Sequence, residues 1–149
     1  MALLEIAEAL AAAPTRPRRS LLFVWHAGEE LGMLGSTYFT DRPTVPRDSI
    51  VAQVNVDMIG RGPRDVPGAG PRYLQVLGAR RRARAFGDLV DAVNAAQPRP
   101  FRLDDAYDAP GHPEQYYCRS DHWAYARHGI PVVFLSTGGH RDYHMLTDE

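Results

Sequence analysis

The chain has 149 residues, of which 44% are hydrophobic and 23% charged; this is the composition of one globular domain and excludes a disordered or fibrous chain. A net charge of −1 provides no overall field for nucleic acid or an anionic membrane surface, and no apolar run is as long as a membrane span. The 17 basic residues are all arginine, and the single cysteine, Cys118, excludes an internal disulfide and is expected to be a small buried residue.

The predicted elements alternate between helices and strands along the chain. The first is a helix in "ALLEIAEAL" that ends at Pro14; no positive segment precedes it and Glu5 and Glu8 interrupt it, which indicates a packed helix rather than a signal peptide. Strands are predicted at 20–27, 49–60, 72–78 and 130–137, and further helices at 31–40, 83–96 and 121–129. This alternation predicts one α/β domain, a three-layer sandwich with a mostly parallel sheet.

Acidic and imidazole side chains follow three of the predicted strands. Glu29 and Glu30 follow the first strand, Asp57 closes the second, and His140 and His144 follow the last. Ligands of open α/β sheets bind beyond the carboxyl ends of the strands, and carboxylate with imidazole suits Zn²⁺. One glutamate of the pair would hold a metal while its neighbour takes a proton from water. The alternative is that both acids lie in the first turn of a helix and complement its dipole.

Three blocks of this sequence resemble a known family: "FVWHAGEELGMLGSTYF", "VNVDMIGR" and "RSDHWAYARHGIPVVFLSTGGHRDYHMLTDE". In order and over nearly the whole chain, they are similar to the co-catalytic zinc aminopeptidases, family twenty-eight of the metallopeptidases. The resemblance implies a two-zinc exopeptidase that cleaves N-terminal peptide bonds of a peptide substrate with metal-activated water. It implies that Glu29 is the general base, that Glu30 and His144 share one zinc, that Asp57 binds the other, and that Tyr143 stabilises the oxyanion.

The chain also departs from the family pattern. The family uses a His-x-Asp segment and a bridging aspartate, in a motif like "GADDNASG", that precede the helix resembling "ALLEIAEAL", and neither precedes that helix in this sequence. We therefore expect a partial catalytic domain, truncated at both ends, whose missing ligands lie upstream of Met1. Such a chain is expected to bind zinc weakly and to self-associate through an exposed sheet surface, and its export would require a signal peptide in the preceding segment.

Two other functions stay open. One is a non-catalytic binding or assembly domain of the same fold, and the other is a related single-zinc glutaminyl cyclase, although "GEELGMLGS" favours the peptidases.

The remaining motifs have plainer interpretations. The consecutive residues 120–122 (Ser-Asp-His) cannot form a hydrolase triad and are expected to shape the wall of the site. The arginines of 79–86 indicate a solvated helix start rather than a nucleic-acid surface. His140 is a candidate for the surroundings of the metal, and packing or surface positions are expected for His26, His112 and His128.

Overall fold

The computed structural model describes residues 2–61 and 70–148. Its helices are α1 (Ala2–Ala12), α2 (Leu34–Asp41), α3 (Arg84–Ala95) and α4 (His122–Ala126). Its strands are β1 (Gln53–Val56), β2 (Tyr73–Leu77), β3 (Arg102–Asp104) and β4 (Val132–Ser136). Short 3-10 helices lie at Arg47–Ser49, Ala106–Asp108 and Tyr116–Cys118. None of the helices in these two ranges is long and apolar enough to cross a membrane.

The four strands form one open sheet in the order β1-β4-β2-β3. β1 pairs with β4 in parallel and β2 with β3 in parallel, while β2 and β4 are antiparallel. The predicted α/β class with a mostly parallel sheet is therefore confirmed. Because β1 and β4 run in the same direction, the residues that follow both strands leave the sheet at the same edge.

Helices cover strand β4 on both faces of the sheet. Val132 belongs to an apolar cluster with Tyr125 and other residues of α4. The next residue, Val133, belongs to a second cluster, against which Phe86 and Val90 of α3 pack. Successive side chains of a strand point to opposite faces, so α4 and α3 lie on opposite sides of the sheet. This arrangement is consistent with the predicted three-layer fold.

Two predicted elements differ from the structure. The apolar run 20–27 is not a strand, and its side chains Leu21, Leu22 and Trp25 are more than half exposed. A β-strand forms only where its backbone hydrogen-bonds to a neighbouring strand, and an apolar sequence does not by itself supply that neighbouring strand. The helix predicted at 31–40 begins only at Leu34, because Met33 adopts a left-handed φ of 58°.

Burial also differs from expectation at the N-terminal helix and at the cysteine. Among the described residues of α1 none is fully buried, and Leu4 is 47% exposed. Cys118 is exposed, since the neighbouring Tyr117 is the residue of that 3-10 turn that enters the core. On the edge strand, Val54 is 55% exposed, and self-association through this surface stays a prediction.

His122 is a buried imidazole within the core. Its ring stacks on Phe134 with centroids 4.7 Å apart and meets the edge of Tyr117. The residue is 0% exposed, and neither ring nitrogen has a hydrogen-bond partner among the described residues. Burial lowers the pKa of His122 from 6.5 to about 4, so the ring is neutral at physiological pH.

This buried ring predicts an acid-sensitive fold. In the unfolded chain the imidazole titrates near 6.5, so as the pH falls from 6.5 towards 4 the unfolded state binds a proton that the folded state does not. Protonation of His122 therefore does not reduce the free energy of unfolding well above pH 6.5, and it reduces that free energy increasingly as the pH falls below 6.5. Between pH 7.5 and 4.5, urea unfolding should show the wild type losing about 2–3 kcal/mol more than His122→Phe, which has no proton to bind. Equal losses in both proteins would contradict this assignment.

Candidate functional site

Glu29 and Glu30 lie on a tight turn in front of α2. The Met33 amide donates to the Glu29 carbonyl at 2.7 Å, and the Leu34 amide donates to the Gly28 carbonyl at 3.1 Å. The turn requires a positive φ at Gly28 (68°), a conformation that glycine adopts without steric cost. Since α2 begins after this turn and has no acid in its first turn, a helix-dipole role does not account for the glutamate pair.

The first turn of α2 packs directly on the backbone that leads into the glutamate turn. The Gly35 amide donates to the Ala27 carbonyl at 2.8 Å. A Cβ atom at Gly35 would lie 2.6 Å from both the nitrogen and the oxygen of Ala27. Position 35 therefore has room only for glycine, and this contact sets where Glu29 and Glu30 are presented.

Asp57 directly follows β1 and is oriented by a relay of side-chain hydrogen bonds. Asn55 Nδ2 donates to Ser120 Oγ at 2.9 Å, and Ser120 Oγ donates to Asp57 Oδ2 at 2.9 Å. Asn55 and Ser120 are both buried. The sequence offered no signal for Asn55 beyond its place on a strand, while Ser120 lay in the segment expected to shape the site wall. Its hydroxyl acts on Asp57 and not as a nucleophile beside His122.

His144 and Tyr143 reach the glutamate turn from the segment after β4. His144 Nε2 lies 3.1 Å from Glu30 Oε2, although 114 residues separate the two in sequence. The rings of Tyr143 and His144 stack with centroids 3.9 Å apart. Both members of the Glu30–His144 pair are exposed, with 71% and 54% of their side-chain surface accessible. The contact between these two predicted ligands of one zinc is therefore formed at the surface.

The pKa of Glu29 is affected by the other acidic side chains of the site. Partial burial raises the pKa of Glu29, the carboxylates of Glu30, Asp57 and Asp121 raise it further, and His144 lowers it. Asp57 and the segment carrying His144 follow neighbouring parallel strands, and His144 contacts Glu30, so these three residues lie at one edge of the sheet. Asp121 was not singled out from the sequence, because only the fold brings the start of α4 to the glutamate turn.

The pKa of Tyr143 is also shifted by its surroundings. Burial raises the pKa of its phenol, and the Arg119 guanidinium opposes that shift. Arg119 is a second site residue that the sequence did not single out. Its only local signal is the position directly before Ser120.

A pocket of about 350 Å³ opens beside the Glu30–His144 pair. His140 lines it, with its Nδ1 3.3 Å from Arg61 Nη1 and its Nε2 3.6 Å from Asp148 Oδ1. His140 thus contacts an ion-pair network rather than the glutamates, which agrees with its expected place in the surroundings of the site.

The described residues do not bring together a complete set of metal ligands. Carboxylate and imidazole are the ligands that zinc prefers, and Glu30 and His144 supply one of each in contact. A catalytic zinc takes three protein ligands, and within residues 2–61 and 70–148 no group of three His, Cys, Asp or Glu side chains is close enough to hold a metal. Asp57 lies on the same edge of the sheet, but its carboxylate accepts a hydrogen bond from the Ser120 hydroxyl.

The fold and this edge define an α/β domain with a carboxylate–imidazole contact at one edge of its sheet, and comparison with known proteins identifies its family. The profile of Peptidase family M28 matches residues 1–149, and the chain belongs to that family of metallopeptidases, which are generally zinc-dependent. The chain is also similar to leupeptin-inactivating enzyme 1 of Streptomyces exfoliatus, with 40% identity over 60 residues. That match covers 40% of this chain and 14% of the relative.

The close approach at Gly35 predicts the effect of an added methyl group. Gly35→Ala should destabilise the fold by about 1–3 kcal/mol through overpacking, although alanine in a helix is otherwise favoured over glycine by about 1 kcal/mol. Urea unfolding measures the change. Gly70→Ala is the matched control, because a Cβ atom there meets nothing within 4 Å. If Gly35→Ala is as stable as the wild type, α2 does not depend on this contact.

The incomplete donor set predicts weak metal binding. Residues 1–149 by themselves should bind zinc with a Kd weaker than about 1 µM. This Kd corresponds to a binding free energy of less than about 8 kcal/mol, whereas the binding free energy of a complete structural zinc site is larger. Isothermal titration calorimetry measures this, and Glu30→Gln should weaken it further while Glu8→Gln on α1 should not. Tight binding of two zinc ions would show that the described donors are sufficient.

Proposed function

We propose that this protein is a zinc-dependent exopeptidase, an aminopeptidase that hydrolyses N-terminal peptide bonds. The observation that carries the proposal is the contact of Glu30 with His144 at 3.1 Å, beside Glu29 and on the edge that Asp57 shares. Membership of the M28 family supports the hydrolysis of peptide bonds, and the matched Streptomyces relative is named for inactivating the peptide leupeptin.

Glu29 is the proposed proton acceptor of the reaction. A general base must bind the proton of the attacking water and later release it to the leaving amine, so its pKa should lie above that of an ordinary carboxylate. Partial burial and the neighbouring carboxylates shift the pKa of Glu29 in that direction. Glu30 is occupied by His144, which leaves Glu29 as the member of the pair that is available for proton transfer.

Tyr143 is the proposed donor to the developing oxyanion. Burial raises the pKa of its hydroxyl, so the group keeps its proton at neutral pH and is able to donate. The stack on His144, with ring centroids 3.9 Å apart, restricts the Tyr143 ring. A preorganised donor of this kind stabilises charge without reorganisation during the reaction.

The metal assignment carries a specific requirement. Glu30 and His144 would hold one zinc and Asp57 the second, and zinc at such a site supplies Lewis acidity. In the family, the centre is completed by a His-x-Asp segment and a bridging aspartate that precede the first helix, and residues 1–149 do not supply them at that position. The proposal therefore needs ligands beyond residues 1–149.

The absence of a three-donor group among the described residues favours one competing function. A non-catalytic binding or assembly domain of the same fold would keep the sheet and lose metal chemistry. A single-zinc glutaminyl cyclase is a second competitor, and it would release ammonia from an N-terminal glutamine rather than an amino acid.

The activity test uses the protein translated from the full reading frame that contains these residues. It should release the arylamine from an aminoacyl arylamide in a zinc-dependent manner and leave the N-acetylated substrate intact. Glu29→Gln should lower kcat by about 100-fold or more, which is the usual loss on removing a general base, with an unchanged zinc content. Glu8→Gln is the control. If the wild type binds zinc but releases no arylamine, the aminopeptidase proposal fails.

A further inference from the structure

Arg61 connects two acids of the segment that follows β4. This segment, residues 137–148, is called the site loop because it carries Tyr143 and His144. Arg61 Nη2 lies 2.8 Å from Asp142 Oδ2, and Arg61 Nη1 lies 3.4 Å from Asp148 Oδ1. Asp142 directly precedes Tyr143, and Asp148 follows His144 by four residues. One guanidinium therefore holds the loop on both sides of the two site residues.

The backbone of Arg61 is tied to the same loop. Thr137 Oγ1 lies 2.6 Å from the Arg61 carbonyl oxygen and 2.7 Å from the Met58 carbonyl oxygen, and its single proton is shared between these two acceptors. Arg61 Nη1 also lies 3.3 Å from His140 Nδ1. The start, middle and end of the site loop thus all contact a residue that follows β1.

The site loop has little regular structure of its own. Residues 138–148 contain no helix or strand. Their internal backbone hydrogen bonds are single turns, such as the Met145 amide to the Asp142 carbonyl at 2.8 Å, and Thr147 Oγ1 donates to Asp142 Oδ1 at 3.0 Å. His144 adopts a left-handed φ of 59°, a conformation that a non-glycine residue keeps only when its surroundings hold it. The position of the His144 ring therefore depends on side-chain contacts, both with Tyr143 inside the loop and with groups outside it.

We propose that Arg61 is a positioning residue that holds the site loop so that His144 meets Glu30 and Tyr143 stacks on His144. The inference deepens the proposed function and rests on it. Arg61 itself touches no reacting atom; it acts through Asp142 and Asp148. The planar guanidinium contacts two carboxylates at once, which a lysine ammonium on a flexible stem does not do equally well.

The competing interpretation is an ordinary surface ion pair. Such pairs contribute about 0–1 kcal/mol to stability, and the Arg61 side chain is 39% exposed. Global stability therefore does not distinguish the two interpretations. The order of the site loop and the turnover number do, because a positioning role moves both while an ordinary ion pair moves neither.

The test compares Arg61→Ala, Arg61→Lys and Asp142→Asn with Arg127→Ala. Arg127 pairs with Asp41 away from the site at a similar exposure, 33% against 39%, and is the matched control. In the protein translated from the full reading frame, hydrogen exchange of the peptide spanning 137–148 and the kinetics of an aminoacyl arylamide are measured together.

Arg61→Ala should make exchange in 137–148 at least about tenfold faster and lower kcat by about tenfold or more with KM within about twofold, since small misplacements of reacting groups are costly. Arg61→Lys should lie between it and the wild type. Asp142→Asn should resemble Arg61→Ala and add little to it in the double variant, because both remove the same contact. Arg127→Ala should leave exchange and kcat unchanged.

Unchanged loop exchange and unchanged kcat in Arg61→Ala would overturn the inference, and so would equal effects of Arg127→Ala. If Arg61→Ala does not fold, Arg61→Lys and Asp142→Asn provide the same two readouts. An inactive wild type refutes the proposed function, whereas the exchange measurement still shows whether Arg61 orders the loop.

Discussion

The parallel pairing of β1 with β4 is the constraint on which the site depends. Asn55 lies opposite Phe134 and Val56 opposite Leu135, so the two strands end together. The contact continues past the strands, where the Asp57 amide donates to the Leu135 carbonyl at 3.3 Å. In this register Asp57 and the site loop start from the same edge. An antiparallel pairing would send them to opposite edges of the sheet.

The acids gathered at this edge repel one another. Burial raises the pKa of Glu29, the carboxylates of Glu30, Asp57 and Asp121 raise it further, and His144 opposes the shift. Folding stability alone does not favour such a cluster, because like charges at short range destabilise the folded state. A carboxylate with a raised pKa beside other acids, as Glu29 is here, is instead typical of functional sites, and this agrees with the family of the chain.

The two sides of the site are supported in different ways. Asp57 is held from within, because the Asn55–Ser120 relay is buried and its hydrogen bonds are shielded from water. His144 lies on an exposed loop, where each contact is individually weak and competes with solvent. One half of the site is therefore rigid with the sheet, and the other half depends on how the loop is held.

Several features followed from the sequence alone, because they are local. Regular patterns of apolar residues predicted β1, β2, β4 and α3, and their alternation predicted the α/β class. The adjacency of Glu29 and Glu30 is covalent, and the three family blocks named the candidate residues. Only the tertiary structure decided that Glu30 meets His144, that Ser120 orients Asp57, and that the apolar run 20–27 has no strand partner. These outcomes depend on which strands pair and on the direction and register of the pairing. Strand pairing brings together residues that are far apart in sequence, and the local sequence around one of them does not indicate the other.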